Sequence, residues 1–145
     1  QSPGTIVTID GHIDCSFQKR FEDPSLNTDC KYHSPELISL AKFVARQNKI
    51  LLNEGNYCWT IGPMYETPEE INYFKTLKAS VVGMSTLPEI VKAGLLGLNI
   101  LTLSIITNFA AGISEVILSH DEVLFNAKNS QESVIKLLTG VIKKI

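Results

Sequence analysis

The sequence predicts an α/β fold, a mixed and mostly parallel sheet flanked by helices. Three observations carry that expectation. Short apolar, β-branched runs alternate with stretches of helical character. The runs do not switch regularly between apolar and polar residues, which suits strands buried on both faces of a parallel sheet. The helical stretches open on recognisable start signals, either Pro in first position or Thr/Ser-x-x-Glu.

Taken in order, residues 5–9 read as a first strand. A polar segment, 14–31, holds Pro24 and Asn27, shows no periodicity and reads as a long loop. Ser34 and Pro35 look like an N-cap and first helical position for a helix to about Gln47. Residues 57–61 form a second strand. Thr67-x-x-Glu70, with Pro68 between, is a capping box for a helix to about Leu77. A third strand at 80–82 leads to a second box, Thr86-x-x-Glu89, and a helix to about Ala93. The fourth strand is 99–106. A last box, Ser119-x-x-Glu122, opens a C-terminal helix towards Lys144, with a break expected near Asn129.

The 145 residues are the size of one domain, long enough to bury a core. A hydrophobic share of 44% and a charged share of 19% describe an ordinary globular protein. The net charge of −2 gives no electrostatic ground for nucleic acid or an anionic membrane as partner. The most apolar stretch, 93–106, is too short to span a bilayer, and no signal peptide is visible. Three widely spaced cysteines, Cys15, Cys30 and Cys58, read as reduced thiols of a cytoplasmic protein. His12, Cys15, Cys30 and His33 have the residue types of a zinc site but a mixed order, so small buried thiols are the preferred reading and no metal is expected.

Polar clusters directly follow three strands: Met64-Tyr65-Glu66, Gly83-Met84-Ser85-Thr86 and Thr107-Asn108. With parallel strands all three lie along one carboxyl edge, where open α/β sheets bind ligands. The chemistry there is legible. Glu66 accepts two adjacent N–H donors, and Asn108 both donates and accepts, a pairing suited to the edge of a flat heterocycle. Tyr65 and Met84 offer apolar faces, while Ser85 and Thr86 open a helix whose free N–H groups suit phosphate. The plainer roles are helix caps for Ser85 and Thr86, core filler for Met84 and a turn for Asn108. His120, at a helix start, suits a neutral imidazole that hydrogen-bonds a hydroxyl, or an incidental surface position.

The motifs "GPMYET", "VVGMSTLPEIVKAGLLGLNIL", "SIITNFAAGI" and "LSHDEVL" resemble the C-terminal half of the trimeric purine nucleoside phosphorylases, with a fainter likeness at "PGTIVTIDGHID". The resemblance implies a nucleoside phosphorylase-like fold, here as an incomplete half. It implies phosphorolysis of 6-oxopurine ribonucleosides and deoxyribonucleosides to purine and sugar 1-phosphate, within purine salvage. Glu66 would hold the N1 and N2 edge of the base, and Asn108 would bond N7 and O6. Tyr65 would pack on the nucleoside, with Val82 and Gly83 lining the base pocket and Thr107 supporting it. Met84 would contact ribose, Ser85 phosphate, and Tyr57 and His120 the region of the 5′-hydroxyl. Asn108, Glu66 and His120 would be the catalytic residues. Phosphate would be a co-substrate, no cofactor would be needed, and the partners would be a purine nucleoside or base and two further copies in a homotrimer.

The family's Gly/Ser-rich phosphate loop and Arg-x-His motif are absent from this sequence, whose arginines are Arg20 and Arg46. The expectation is therefore that these 145 residues are a piece of a longer enzyme and inactive alone. The related methylthioadenosine phosphorylases resemble this pattern with Asp at the place of Asn108 and no counterpart of Glu66. A reading from another class is an inactive purine-binding or assembly module.

Overall fold

The computed structural model describes residues 1–18, 22–114 and 120–145, with backbone alone at 120–127 and 129. Among the described residues, five strands and four helices follow in the order β1 (Ile6–Asp14), β2 (Leu26–Asn27), α1 (Pro35–Gln47), β3 (Leu52–Trp59), α2 (Pro68–Thr76), β4 (Val81–Gly83), α3 (Leu87–Leu95), β5 (Leu103–Ile105) and α4 (His120–Ile142). The expected α/β architecture is present: β1, β3 and β4 run parallel, with helices packed on the sheet.

β1 runs past Gly11, where a strand was not expected. A bulge between Ile9 and Gly11 lets it continue, leaving Asp10 as the extra residue against β3. Gly11 is closely packed there: a Cβ would lie 2.6 Å from the Asn56 side-chain oxygen and 3.0 Å from Leu26, so those side chains would have to move. β3 likewise starts earlier than its apolar run. Pairing with the whole length of β1 overrides the poor strand propensity of Asn53, Glu54 and Gly55. The segment expected as a long loop contains β2, a two-residue antiparallel pair with His12 and Ile13.

One expectation fails outright. β5 pairs with β1 antiparallel, Ile6 opposite Ile105 and Thr8 opposite Leu103, so β5 does not end on the carboxyl edge of β3 and β4. Ile9 N–H donates to the Thr102 carbonyl and Ile106 N–H to the Thr5 carbonyl. By the alternation of an antiparallel ladder, residues 102, 104 and 106 spend their backbone groups on β1, and those of Leu101, Leu103 and Ile105 point away from it.

α1 and α4 form one covering layer. Ala41, Val44 and Ala45 of α1 meet Leu137 and Val141 of α4 over Ile6. α2 covers a second cluster, bringing Ile71 and Phe74 against Ile13, Cys15 and Cys58. Tyr57 alternates with Cys58 and joins Val7, Ile9, Val81 and Ile106 instead. α4 is continuous through 129, where a break was expected. Its expected N-cap, Ser119, lies outside the described residues.

The start signals divide. At α2 the capping box is fully formed: Thr67 N–H donates to Glu70 Oε2 at 2.7 Å and Glu70 N–H to Thr67 Oγ1 at 3.2 Å. At α1, Ser34 holds the N-cap position, yet its Oγ accepts from Ile100 N–H at 2.7 Å instead of capping its own helix. At α3 the expected box is absent. Thr86 sits at φ 80° and makes no side-chain cap bond, a conformation costly for a β-branched residue.

Candidate functional site

β3 and β4 end side by side, and the chain leaving each is tied to the other. Thr60 N–H, just past β3, donates to the Gly83 carbonyl at the end of β4 at 3.0 Å. Beneath that junction Tyr57 is buried, and its hydroxyl donates to the Ser85 carbonyl at 3.0 Å. The ring lies so close to β4 that a Cβ at Gly83 would fall 2.2 Å from the phenol oxygen. Position 83 is thus glycine because Tyr57 occupies the side-chain space.

Glu66 is held on both sides. Thr60 Oγ1 donates to Glu66 Oε1 at 2.7 Å, and the next residue, Thr67, begins the capping box of α2. Gly62, at φ 69°, gives the loop its turn, and Met84 packs on it, with Sδ 2.5 Å from where a Cβ would stand. Met84 therefore links the loop after β3 to the loop after β4. Tyr65 is half exposed and Met64 almost fully so, leaving the Tyr65 ring free to meet a ligand. Val82 is half-buried with the α2 cluster.

Ser85 is exposed, its Oγ 3.0 Å from Thr86 Oγ1, at the mouth of α3. Two hydroxyls and a helix N-terminus converge there, an arrangement that accepts an anion. Thr86 also lines a groove of about 330 Å³ between Glu89, Ile90 and Ala93 of α3 and residues 100–103.

Thr107 and Asn108 reach this neighbourhood by another route than a parallel strand. Ile106 packs with Tyr57 and Val81, Ala110 and Ala111 pack in the cluster of Cys58 and Val82, and Gly112 lies against Pro68 at the start of α2. The chain after β5 thus crosses back towards the end of β3 and carries Asn108 along the way. Thr107 Oγ1 donates to Asn108 Oδ1 at 2.6 Å and Asn108 Nδ2 donates to the Phe109 carbonyl at 3.0 Å. One amide hydrogen and one lone pair remain for a ligand. His120 begins α4, but its side chain lies outside the described residues.

Cys15 and Cys58 lie in the cluster under α2 with Val82. Cys15 and Cys58 are buried and Cys30 is exposed. The neighbouring Cys15 sulfur, burial, and the charges of Glu66 and Asp14 push the Cys58 thiol well up, while its bond with Cys58 draws Cys15 down against burial. The two histidines pair with each other, His12 Nδ1 lying 2.8 Å from His33 Nε2. Among the described residues no three His, Cys, Asp or Glu side chains converge on a point that would hold a metal.

A family model described as the phosphorylase superfamily matches residues 1–143. The chain belongs to the phosphorylase superfamily. Within that superfamily, purine nucleoside phosphorylase 1 of Bacillus subtilis is 36% identical over 132 residues, 91% of this chain and 47% of the relative. A probable 6-oxopurine nucleoside phosphorylase of Dictyoglomus turgidum is 35% identical over 153 aligned residues, 99% of this chain and 57% of the relative. A purine nucleoside phosphorylase of Schistosoma, solved in complex with hypoxanthine, superposes with a TM-score of 0.85 at 28% identity, over 98% of this chain and 56% of that one. This phosphorylase-superfamily chain spans about half the length of the relatives it matches.

Sequence reasoning missed Thr60, which it took as an ordinary strand former. The signal was a hydroxyl in an otherwise apolar strand end, six residues before the acid it serves. It also missed the histidine pair as a unit, because direct contact across β1 and the start of α1 has no local signature.

Proposed function

We propose that this chain corresponds to the C-terminal, base-reading half of a trimeric purine nucleoside phosphorylase. The reaction is reversible phosphorolysis: phosphate attacks the anomeric carbon of a 6-oxopurine ribonucleoside or deoxyribonucleoside, releasing the base and forming the sugar 1-phosphate. The enzyme is a pentosyltransferase of cytoplasmic purine salvage, with phosphate as co-substrate and no cofactor. The observation that carries the reading is the position of Glu66, anchored by Thr60 where β3 and β4 end, in a chain whose relatives are named for this activity.

In this reading Glu66 accepts N1–H and, in guanine, the 2-amino group. Asn108 bonds N7 and O6. As the glycosidic bond breaks, negative charge moves into the purine, so a donor at N7 or O6 stabilises the transition state more than the ground state. Tyr65 packs on the nucleoside, Val82 and Gly83 line the base pocket, and Thr107 holds the Asn108 amide. Met84 meets the ribose, Tyr57 and His120 serve the 5′-hydroxyl region, and Ser85 contributes one contact to phosphate. Glu66, Asn108 and His120 are the proposed catalytic residues.

Calorimetric titration of guanine into the chain, with and without phosphate, tests the base site. Phosphate-dependent release of hypoxanthine from inosine tests the reaction. Base binding without turnover is the outcome expected of these residues alone, and turnover by the full-length protein separates an enzyme from a purine-binding module. The absence of guanine binding overturns the site.

A further inference from the structure

Resting on that reading of the site, we propose that Thr60 is a positioning residue for purine recognition: its hydroxyl fixes the plane of the Glu66 carboxylate so that the acid meets guanine at two points.

A glutamate has three rotatable side-chain bonds, and one at a loop can turn its carboxylate plane freely. Glu66 does not have that freedom. Thr60 Oγ1 donates to its Oε1 at 2.7 Å, the length of a hydroxyl-to-carboxylate bond of the stronger, charge-assisted kind. Thr60 is itself fixed. Its backbone N–H is bonded to the Gly83 carbonyl at 3.0 Å, and a β-branched residue has few χ1 choices, so the hydroxyl's direction follows from the backbone. From the other side, the capping box of α2 starts at the very next residue. The carboxylate is thereby set before any ligand arrives, which lowers the ordering cost of binding.

The bond uses one lone-pair direction of Oε1 and leaves the rest of the carboxylate for a ligand. Two parallel N–H donors, as in the N1–H and amino group of guanine, need that plane to be correct at both oxygens. One donor, as in hypoxanthine, needs only a single oxygen, which a turning carboxylate still supplies. Thr60 therefore acts on selectivity between the two bases as well as on affinity.

The test is calorimetry of guanine and hypoxanthine with wild type, Thr60→Val and Thr60→Ser, each checked for folding by circular dichroism. Valine keeps the shape and removes the hydroxyl. Thr60→Val is expected to weaken guanine by about tenfold and hypoxanthine by about threefold, as loss of a hydrogen bond to a charged group implies. Thr60→Ser is expected to bind both as wild type does. Equal losses for the two bases, a Thr60→Val protein that binds guanine within about twofold of wild type, or a folded Thr60→Ser protein that fails as valine does, each overturn the inference while leaving the base site standing. A wild type that binds neither base overturns the reading of the site, and this inference with it.

Discussion

His12 and His33 face each other across 2.8 Å, Nδ1 to Nε2, inside the protein. At that distance one ring donates and the other accepts, so the bond survives only while one of the facing nitrogens carries no proton. Tyr32 stands edge-on to His12, 5.3 Å between ring centres. Burial holds His33 below its ordinary value of 6.5, and outweighs the Ile9 carbonyl and the charges of Asp10 and Asp29, which favour the charged ring. The His33 Nδ1 atom is buried without a hydrogen-bond partner of good geometry.

The sign of the resulting pH effect follows from proton binding. A folded state that resists protonating His33 binds fewer protons than the unfolded chain once the pH drops below 6.5. Stability is then complete above that value and falls as the pH descends towards the depressed folded value. Urea unfolding at pH 7 and pH 5 should show a larger loss for wild type than for His33→Gln. Equal losses would remove His33 from the account.

Glu66→Ala should abolish most guanine binding, and hypoxanthine binding to a smaller absolute extent, since guanine makes the additional bond. Glu66→Gln keeps the shape but turns a donor towards one ligand N–H, so it should be impaired nearly as much. A mere surface acid near a helix N-terminus would contribute only tenths of a kcal/mol to stability and nothing to binding. Titration of both mutants separates these cases, and a Glu66→Gln protein as tight as wild type would end the base-reading role.

Asn108→Asp should move preference from 6-oxopurines towards 6-aminopurines, because a carboxylate accepts from an amino group and repels O6. In this variant the Thr107 hydroxyl still has a side-chain oxygen to donate to, while the bond that Asn108 Nδ2 donates to the Phe109 carbonyl is lost, so the free monomer's stability is measured beside the affinities. A shift on the order of a hundredfold in the ratio of hypoxanthine to adenine affinity is expected from unpaired polar groups in a recognition site. An unchanged ratio refutes the assignment.

Thr86→Gly should stabilise the protein. The threonine holds φ at 80° and caps nothing, whereas glycine adopts that angle freely. Relief of about 1 kcal/mol, reduced by glycine's freedom in the unfolded chain, should raise the melting temperature by roughly 2 °C. A lower melting temperature would mean that the Thr86 contacts to Ser85 and the α3 groove outweigh the backbone strain.

The legible parts of this molecule were those encoded within a few residues. The Thr67 box, the Ser34-Pro35 start and the apolar runs of β3 and β4 each carry their own signal, and they place Glu66, Gly83 and Ser85 correctly relative to strand ends. The direction of β5 has no such local sign. Its side chains suit parallel or antiparallel pairing equally, and the decision rests on β1, far away in the chain. For the same reason Asn108 could be read as a strand-end residue but not as one carried back by a crossing segment. Thr86 misled because a capping box read from residue types assumes an ordinary backbone, which the close approach of β4, Tyr57 and Ser85 does not grant.

The antiparallel seat of β5 has one more implication, for handling the molecule. Leu101 and Leu103 line the groove beside α3 with peptide groups that point away from β1, and Leu95, Leu96 and Leu98 stand exposed nearby in sequence. Such a margin is adhesive: another polypeptide can lay an extended segment along it and satisfy both the peptide groups and the leucines at once. Purified at high concentration, the chain should scatter light increasingly with protein load, and dilution rather than added salt should keep it clear, since salting-out ions strengthen the burial of leucine.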